Sequence, residues 1–208
     1  MSSESETSGL GVAVLAGGAS TRMGTNKALL RARPDGPTMV ETVVARLSEA
    51  GLTPDLLVTN SPEVFAFLDI PTVPDEIPGS GSLGGIYTAL NHMTQDRTLV
   101  VACDMPLLNP DLLRYMASLP TQADALVPRW TGSDGISHVE TMHTIYSRRC
   151  LEPARQRIAA GRLKVQALLE DVSVEYLEEI EMRRHDPGLA SFRNVNTLED
   201  WEWLRSKL

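Results

Sequence analysis

Short β-rich runs separated by well-capped helical stretches predict an α/β chain with a mostly parallel central sheet covered by helices. Three observations carry this expectation. The runs at 12–16 and 98–103 are apolar without a break, the pattern of strands buried on both faces. The helical stretches open on capping side chains, so strand and helix alternate rather than segregate. The 208 residues, 42% hydrophobic and 22% charged, match the size and composition of one ordinary globular domain.

The elements follow in order. Residues 1 to about 9 are polar and acidic and are expected to form a disordered tail ahead of one domain over 10–208. Strands are expected at 12–16, 56–60, 98–103, 124–128, 140–147, 172–177 and 192–196. Thr38 and Glu41 make a capping box before Val40, Val43, Val44 and Leu47, and Gly51 ends that helix. Ser61-Pro62-Glu63 and Asn109-Pro110-Asp111 each offer a capping side chain, a proline at the first helical position and an acid in the first turn. Helices are also expected at 83–92, at 149–160 and 165–170 around Gly161, and at 201–208, where Thr197 and Asp200 supply the cap. The stretch 170–186 sets seven acids against Arg183 and Arg184 and is expected to be a solvated face without chemistry.

A net charge of −8 argues against nucleic acid or an anionic membrane surface as partner. No apolar run approaches the roughly 18 residues of a membrane span, and two cysteines are too few for a disulfide framework, so a cytoplasmic protein is expected. Any anionic ligand needs local help. Sixteen of the nineteen basic residues are Arg, so the three lysines, Lys27, Lys164 and Lys207, stand out.

The first strand, GVAVLA, runs into Gly17-Gly18, with Arg22 and Lys27 following. Glycines at the carboxyl end of a parallel strand let backbone N–H groups approach a phosphate, while Arg22 offers a planar fork and Lys27 a mobile point charge. The plainer alternative is a glycine turn with surface cations. The spacing is not that of a P-loop. At 79–84 a formal G-x-G-x-x-G appears, but Pro71, Pro74 and Pro78 precede it, and a central strand tolerates no such run. A loop opening a helix is expected there instead.

Asp104 follows a buried strand, at the edge of the sheet where ligands bind, and a hard Mg²⁺ would take one carboxylate there together with phosphate oxygens. Capping of the next turn is its alternative duty. Cys103 beside it is expected to be a small core residue. Asn194 and Asn196 would share one face of the last strand, as would His138 and Glu140 in theirs, with His143 opposite; zinc is not expected at the latter.

LAGGASTRMGTNKALL resembles the signature of the nucleotidyltransferases that attach a nucleotide to molybdopterin. GSLGGIYTAL, VVACDMPLL, GRLKVQALL and FRNVNTLEDW resemble, in order, later blocks of the molybdenum cofactor guanylyltransferase branch. Asn26 stands where that family usually has Asp. The resemblance implies a single three-layer, Rossmann-like nucleotidyltransferase domain that moves GMP from GTP to the terminal phosphate of molybdopterin or Mo-molybdopterin. It implies nucleotide contacts from Leu15, Ala16, Gly17, Gly18 and Lys27, guanosine contacts from Asp75 and Thr59 or Asn60, and Mg²⁺ on Asp104. Asn194 and Asn196 would lie on the molybdopterin side, with Arg162 and Lys164 near its phosphate. Acceptor molybdoenzymes and cofactor-handling proteins are the implied protein partners. A cytidylyl- or sugar-phosphate transferase, or a non-catalytic nucleotide-binding module, are the alternatives.

Overall fold

The computed structural model describes residues 9–17, 27–31, 33–132, 135–195 and 198–205. Among these, eight strands form one sheet: β1 (Leu10–Leu15), β2 (Leu56–Val58), β3 (Thr72–Val73), β4 (Arg97–Ala102), β5 (Ala125–Thr131), β6 (Ser137–Val139), β7 (His143–Ser147) and β8 (Val174–Glu178). Their order is β3-β2-β1-β4-β7-β5-β6, with β8 on the other side of β5. β1 pairs in parallel with β2 and β4, and β3 with β2; β7 runs antiparallel between β4 and β5. The sheet is mostly parallel, as the uninterrupted apolar runs predict.

Alternation along β1 divides the core into the two interiors of a three-layer fold. Val12 and Val14 face one side, where Val40, Val43 and Leu47 of α1 (Met39–Glu49) and Leu112, Leu113 and Met116 of α3 (Pro110–Ser118) cover them. Ala13 and Leu15 face the other, under α2 (Gly81–His92), α4 (Leu151–Ala159) and α5 (Val165–Leu168). Gly85 makes part of that packing possible, since a Cβ there would lie 3.0 Å from Leu15 Cδ1. Among the described residues no helix is long and apolar enough to cross a membrane.

Local chemistry explains the helix starts. The Thr38 and Glu41 box forms in both directions, and Asn109 Oδ1 accepts the N–H groups of Asp111 and Leu112. Ser61 makes no side-chain cap, and the turn after it is a 3₁₀ helix, Pro62–Leu68. β3 sits between Pro71 and Pro74 because it is a two-residue edge strand, where missing N–H donors are tolerated.

Three expectations for the carboxyl-terminal part are corrected. The segment 192–196 is not a strand: Ala190–Phe192 is a 3₁₀ turn, 193–195 runs on without ladder pairing, and Asn196 lies outside the described residues. Phe192 and Val195 are both buried although their spacing of three would put them on opposite faces of a strand, so they anchor an irregular segment and not one strand face. The acids of 170–186 are not simply a solvated face. Glu178 pairs with Arg129 and Asp171 with the buried Arg157, and Glu179 accepts the N–H of Thr131. Asp186, 4% exposed, accepts the N–H groups of Ala190 and Ser191 and so shapes the turn before Asn194. The last helix, α7 (Leu198–Arg205), starts earlier than the 201–208 expected; α6 (Glu179–Met182) precedes it in the chain.

Candidate active site

The carboxyl ends of β1 and β4 lie side by side, in register from Leu10↔Arg97 to Leu15↔Ala102, and past that register Cys103 N–H donates to Leu15 O. Beyond the strand ends the backbone is free to turn, which places Gly17 and Asp104 at one edge. Lys27 reaches this edge from the 3₁₀ turn Lys27–Leu29, and its Nζ lies 2.7 Å from Asp104 Oδ2. The two side chains are 22% and 17% exposed, so the pair is sheltered but open to a ligand. A lysine and an aspartate 77 positions apart in sequence form the charged centre of the site.

On the β2 and β3 side, Asn60 and Asp75 bind each other reciprocally: Asn60 Nδ2 donates to Asp75 Oδ2, and Asp75 N–H donates to Asn60 Oδ1, both at 2.9 Å. Ala16 N–H donates to Val58 O, and a Cβ on Gly17 would lie 3.4 Å from Asp75 Oδ2. Leu15, Ala16, Gly17, Asn60 and Asp75 therefore converge. Thr59 does not join them, because it is 1% exposed and its hydroxyl accepts the N–H of Ser61.

On the β7 side, Val195 N–H donates to Asp104 O at 3.0 Å, which brings Asn194 beside Asp104. Asn194 Oδ1 is buried with no hydrogen-bond partner among the described residues. The orphaned amide oxygen of Asn194 and the carboxylate of Asp104, joined through the Val195 to Asp104 backbone bond, are both hard oxygen donors, and that donor chemistry fits Mg²⁺. Glu140, 8% exposed, stands at the same edge: Ala102 N–H donates to Met142 O, and Glu140 Oε1 accepts Met142 N–H at 2.7 Å. Burial raises its carboxyl above the ordinary range, and the charge of Asp104 adds to that. The sequence shows Glu140 only beside two histidines, and they part in the fold. His138 stacks on Trp130, whereas His143 is fully buried with its ring 5.3 Å from Phe192.

Burial pushes the Cys103 thiol up to about 12, with Asp104 adding to the shift, so it is a poor thiolate nucleophile. Arg162 and Lys164 are exposed on the connection between α4 and α5, and no hydrogen bond or ion pair among the described residues joins either to the Lys27 and Asp104 pair. Gly18, Arg22, Asn26 and Asn196 lie outside the described residues.

Gly17 just past the first parallel strand and a sheltered cation–acid pair at the end of β4 define an α/β nucleotide-binding domain suited to phosphoryl chemistry. Comparison with known proteins narrows the class. The family described as MobA-like NTP transferase domain matches residues 12–179. A probable molybdenum cofactor guanylyltransferase of Natranaerobius thermophilus is 32% identical over 97% of this chain and 98% of its own. A protein of the same description from Methanothermobacter thermautotrophicus is 36% identical over 91% and 95%. Among solved structures, molybdopterin-guanine dinucleotide biosynthesis protein A of Archaeoglobus fulgidus superposes with a TM-score of 0.78, at 27% identity, covering 95% of this chain and 99% of that one. The chain belongs to the MobA-like NTP transferase family and is a nucleotidyltransferase.

Proposed function

We propose that the protein transfers GMP from GTP to the terminal phosphate of molybdopterin, with or without bound molybdenum, and releases pyrophosphate. The observation that carries this reading is the Lys27 and Asp104 pair at the sheet edge, between the Asn60 and Asp75 couple on one side and Asn194 on the other. The names of full-length relatives support the choice of nucleotide and acceptor. An acceptor phosphate oxygen bonds to the α-phosphorus, the bond to the β-phosphate bridge breaks, and pyrophosphate leaves with that electron pair. Such a displacement needs positioning and charge neutralisation more than a protein nucleophile.

In this reading the backbone at 15–18 lies against the phosphates, Lys27 neutralises them with Arg22, and Asp75 and Asn60 face the guanosine. Asp104, with Asn194, would hold Mg²⁺, which when bound supplies a Lewis acid for the charge on the phosphate oxygens. Asn194, Asn196, Arg162 and Lys164 would face the acceptor. The protein would work in the cytoplasm, where the buried free thiols of Cys103 and Cys150 stay reduced, and would pass its product to molybdoenzymes or cofactor-handling proteins.

The test is a panel of nucleoside triphosphates with molybdopterin and Mg²⁺, read as pyrophosphate release. Turnover is expected with GTP. Activity confined to CTP or to a sugar-phosphate acceptor overturns the reading, and nucleotide binding without turnover favours a non-catalytic module. Recovery of a molybdoenzyme or cofactor-handling protein in a pull-down is the expected result for the partner.

A further inference from the structure

We propose that Lys27 is the resident counter-ion of Asp104 in the nucleotide-free protein, and that the divalent-cation position on Asp104 opens only when a nucleotide polyphosphate draws the ammonium away. The free protein then binds the cation poorly and takes it up together with the nucleotide. This rests on the reading of Asp104 as the cation ligand.

The geometry sets up a competition for one oxygen. Lys27 Nζ stands 2.7 Å from Asp104 Oδ2, and both side chains are about four-fifths shielded from water. A magnesium ion on that oxygen would need an approach of about 2.0–2.1 Å. An ammonium already seated there repels it at close range, where shielding weakens the screening. The surroundings make the occupancy costly to leave empty. Among the described residues Asp75 lies towards β2 and the buried Glu140 towards β7, so with Lys27 set aside the described part of this edge holds carboxylates without a matching cation.

Lysine also suits a transferable cation. Its ammonium is a compact charge on a flexible four-carbon stem and can swing from carboxylate to phosphate, whereas the rigid fork of an arginine would hold a carboxylate more permanently. In a chain with sixteen arginines, one of three lysines occupies this position. A polyphosphate that arrives with its cation offers Lys27 a more highly charged partner as the cation takes Asp104, so the two exchanges complete each other.

The experiment titrates Mn²⁺ into nucleotide-free protein, with bound ion followed by electron paramagnetic resonance and heat. Lys27→Met, or Lys27→Gln where the Met variant precipitates, is expected to bind Mn²⁺ at least tenfold tighter than wild type. The double variant Lys27→Met/Asp104→Asn is expected to lose that gain. Unchanged affinity without Lys27, or a gain that survives removal of Asp104, overturns the proposal. So does a wild-type protein that binds Mn²⁺ as tightly without GTP as with it. Failure of the underlying reading is distinguished by a further arm with GTP present. Loss of Mn²⁺ in Asp104→Asn there keeps Asp104 as ligand even where the Lys27 effect is absent, and the choice of GTP and molybdopterin stands or falls on pyrophosphate release alone.

Discussion

Replacing His143 with Leu should flatten the acid side of the stability curve. His143 opens β7, is fully buried, and has no hydrogen-bond partner for either ring nitrogen among the described residues. Burial holds its pKa at about 4, with the charge of Asp186 pulling weakly the other way. In the unfolded chain the same ring titrates near 6.5. Between those two values the unfolded state holds a proton that the folded state lacks, so stability falls as pH falls. The gap from 6.5 to about 4, at about 1.4 kcal/mol per pH unit, amounts to about 3 kcal/mol below pH 4 and about 2 kcal/mol at pH 5. Glu140, raised by burial, works in the opposite direction, since its folded form takes up a proton earlier. Both proteins contain Glu140, so their difference isolates His143. Urea unfolding at several pH values between 7 and 4.5 would be followed by tryptophan fluorescence, because Trp130 stacks 5.0 Å from Phe192 in the same region. At pH 7 the Leu variant should match or slightly exceed wild type, since removing both unpaired polar atoms removes a desolvation cost. Parallel losses in wild type and variant over that range would refute the reasoning.

Asp104→Asn should lower turnover by at least a hundredfold while affinity for GTP changes little, because the amide keeps the size and loses the charge; pyrophosphate release against Mg²⁺ concentration reads this. Lys27→Ala should weaken GTP binding by about 1.5–3 kcal/mol through loss of one charge-assisted contact, measured by calorimetry on a variant whose melting curve shows it folded. Asn60→Ala frees one edge of Asp75 and should raise KM for GTP several-fold with kcat retained, whereas equal KM values would remove this couple from the nucleotide site. Thr38→Ala removes the hydroxyl half of the capping box on α1, leaving its backbone N–H to Glu41, and should cost about 1 kcal/mol in urea unfolding without altering KM for GTP.

Much of the fold was legible because its strongest signals are local. The apolar runs of β1 and β4 report burial on both faces, and the caps at Thr38 and Asn109 report helix starts through single side chains. What stayed hidden depends on partners far away in the chain. β3 is two residues long and exists because Leu57 and Val58 offer it an edge. β5 pairs with β7 over Ala125 and Leu126, with β6 from Arg129 onward and with β8 along its other side, a fork that no periodicity within 125–131 encodes. The site divides in the same way. Gly17, Lys27 and Asp104 could be nominated from strand-end position and residue type. Glu140 could not, because its place at this edge follows from β7 running antiparallel to β4, and strand direction is invisible in alternation.

That antiparallel strand also gives the site two unlike sides. Towards β1, β2 and β3 the edge is built from strand ends that all point the same way, and it presents Gly17 with the Asn60 and Asp75 couple. Towards β7 it is built from the turn at Glu140–Met142 and from Asn194 and Val195, which are tied to the backbones of Ala102 and Asp104. Asp104 stands at the boundary. An in-line displacement at phosphorus requires the attacking oxygen and the departing pyrophosphate to lie on opposite sides of the reacting centre. If the nucleotide occupies the parallel side, pyrophosphate is drawn towards Lys27, and the acceptor has only the side of Glu140 and Asn194 from which to approach. Acceptor selectivity is then lodged in the irregular carboxyl-terminal segment held by Asp186 and Phe192, and the nucleotide site in the regular sheet. The two sides are not independent, because Val195 packs in one buried cluster with Met39 and Leu30, and Leu30 is hydrogen-bonded to the turn that carries Lys27, so a change in the carboxyl-terminal segment reaches the cation of the nucleotide side.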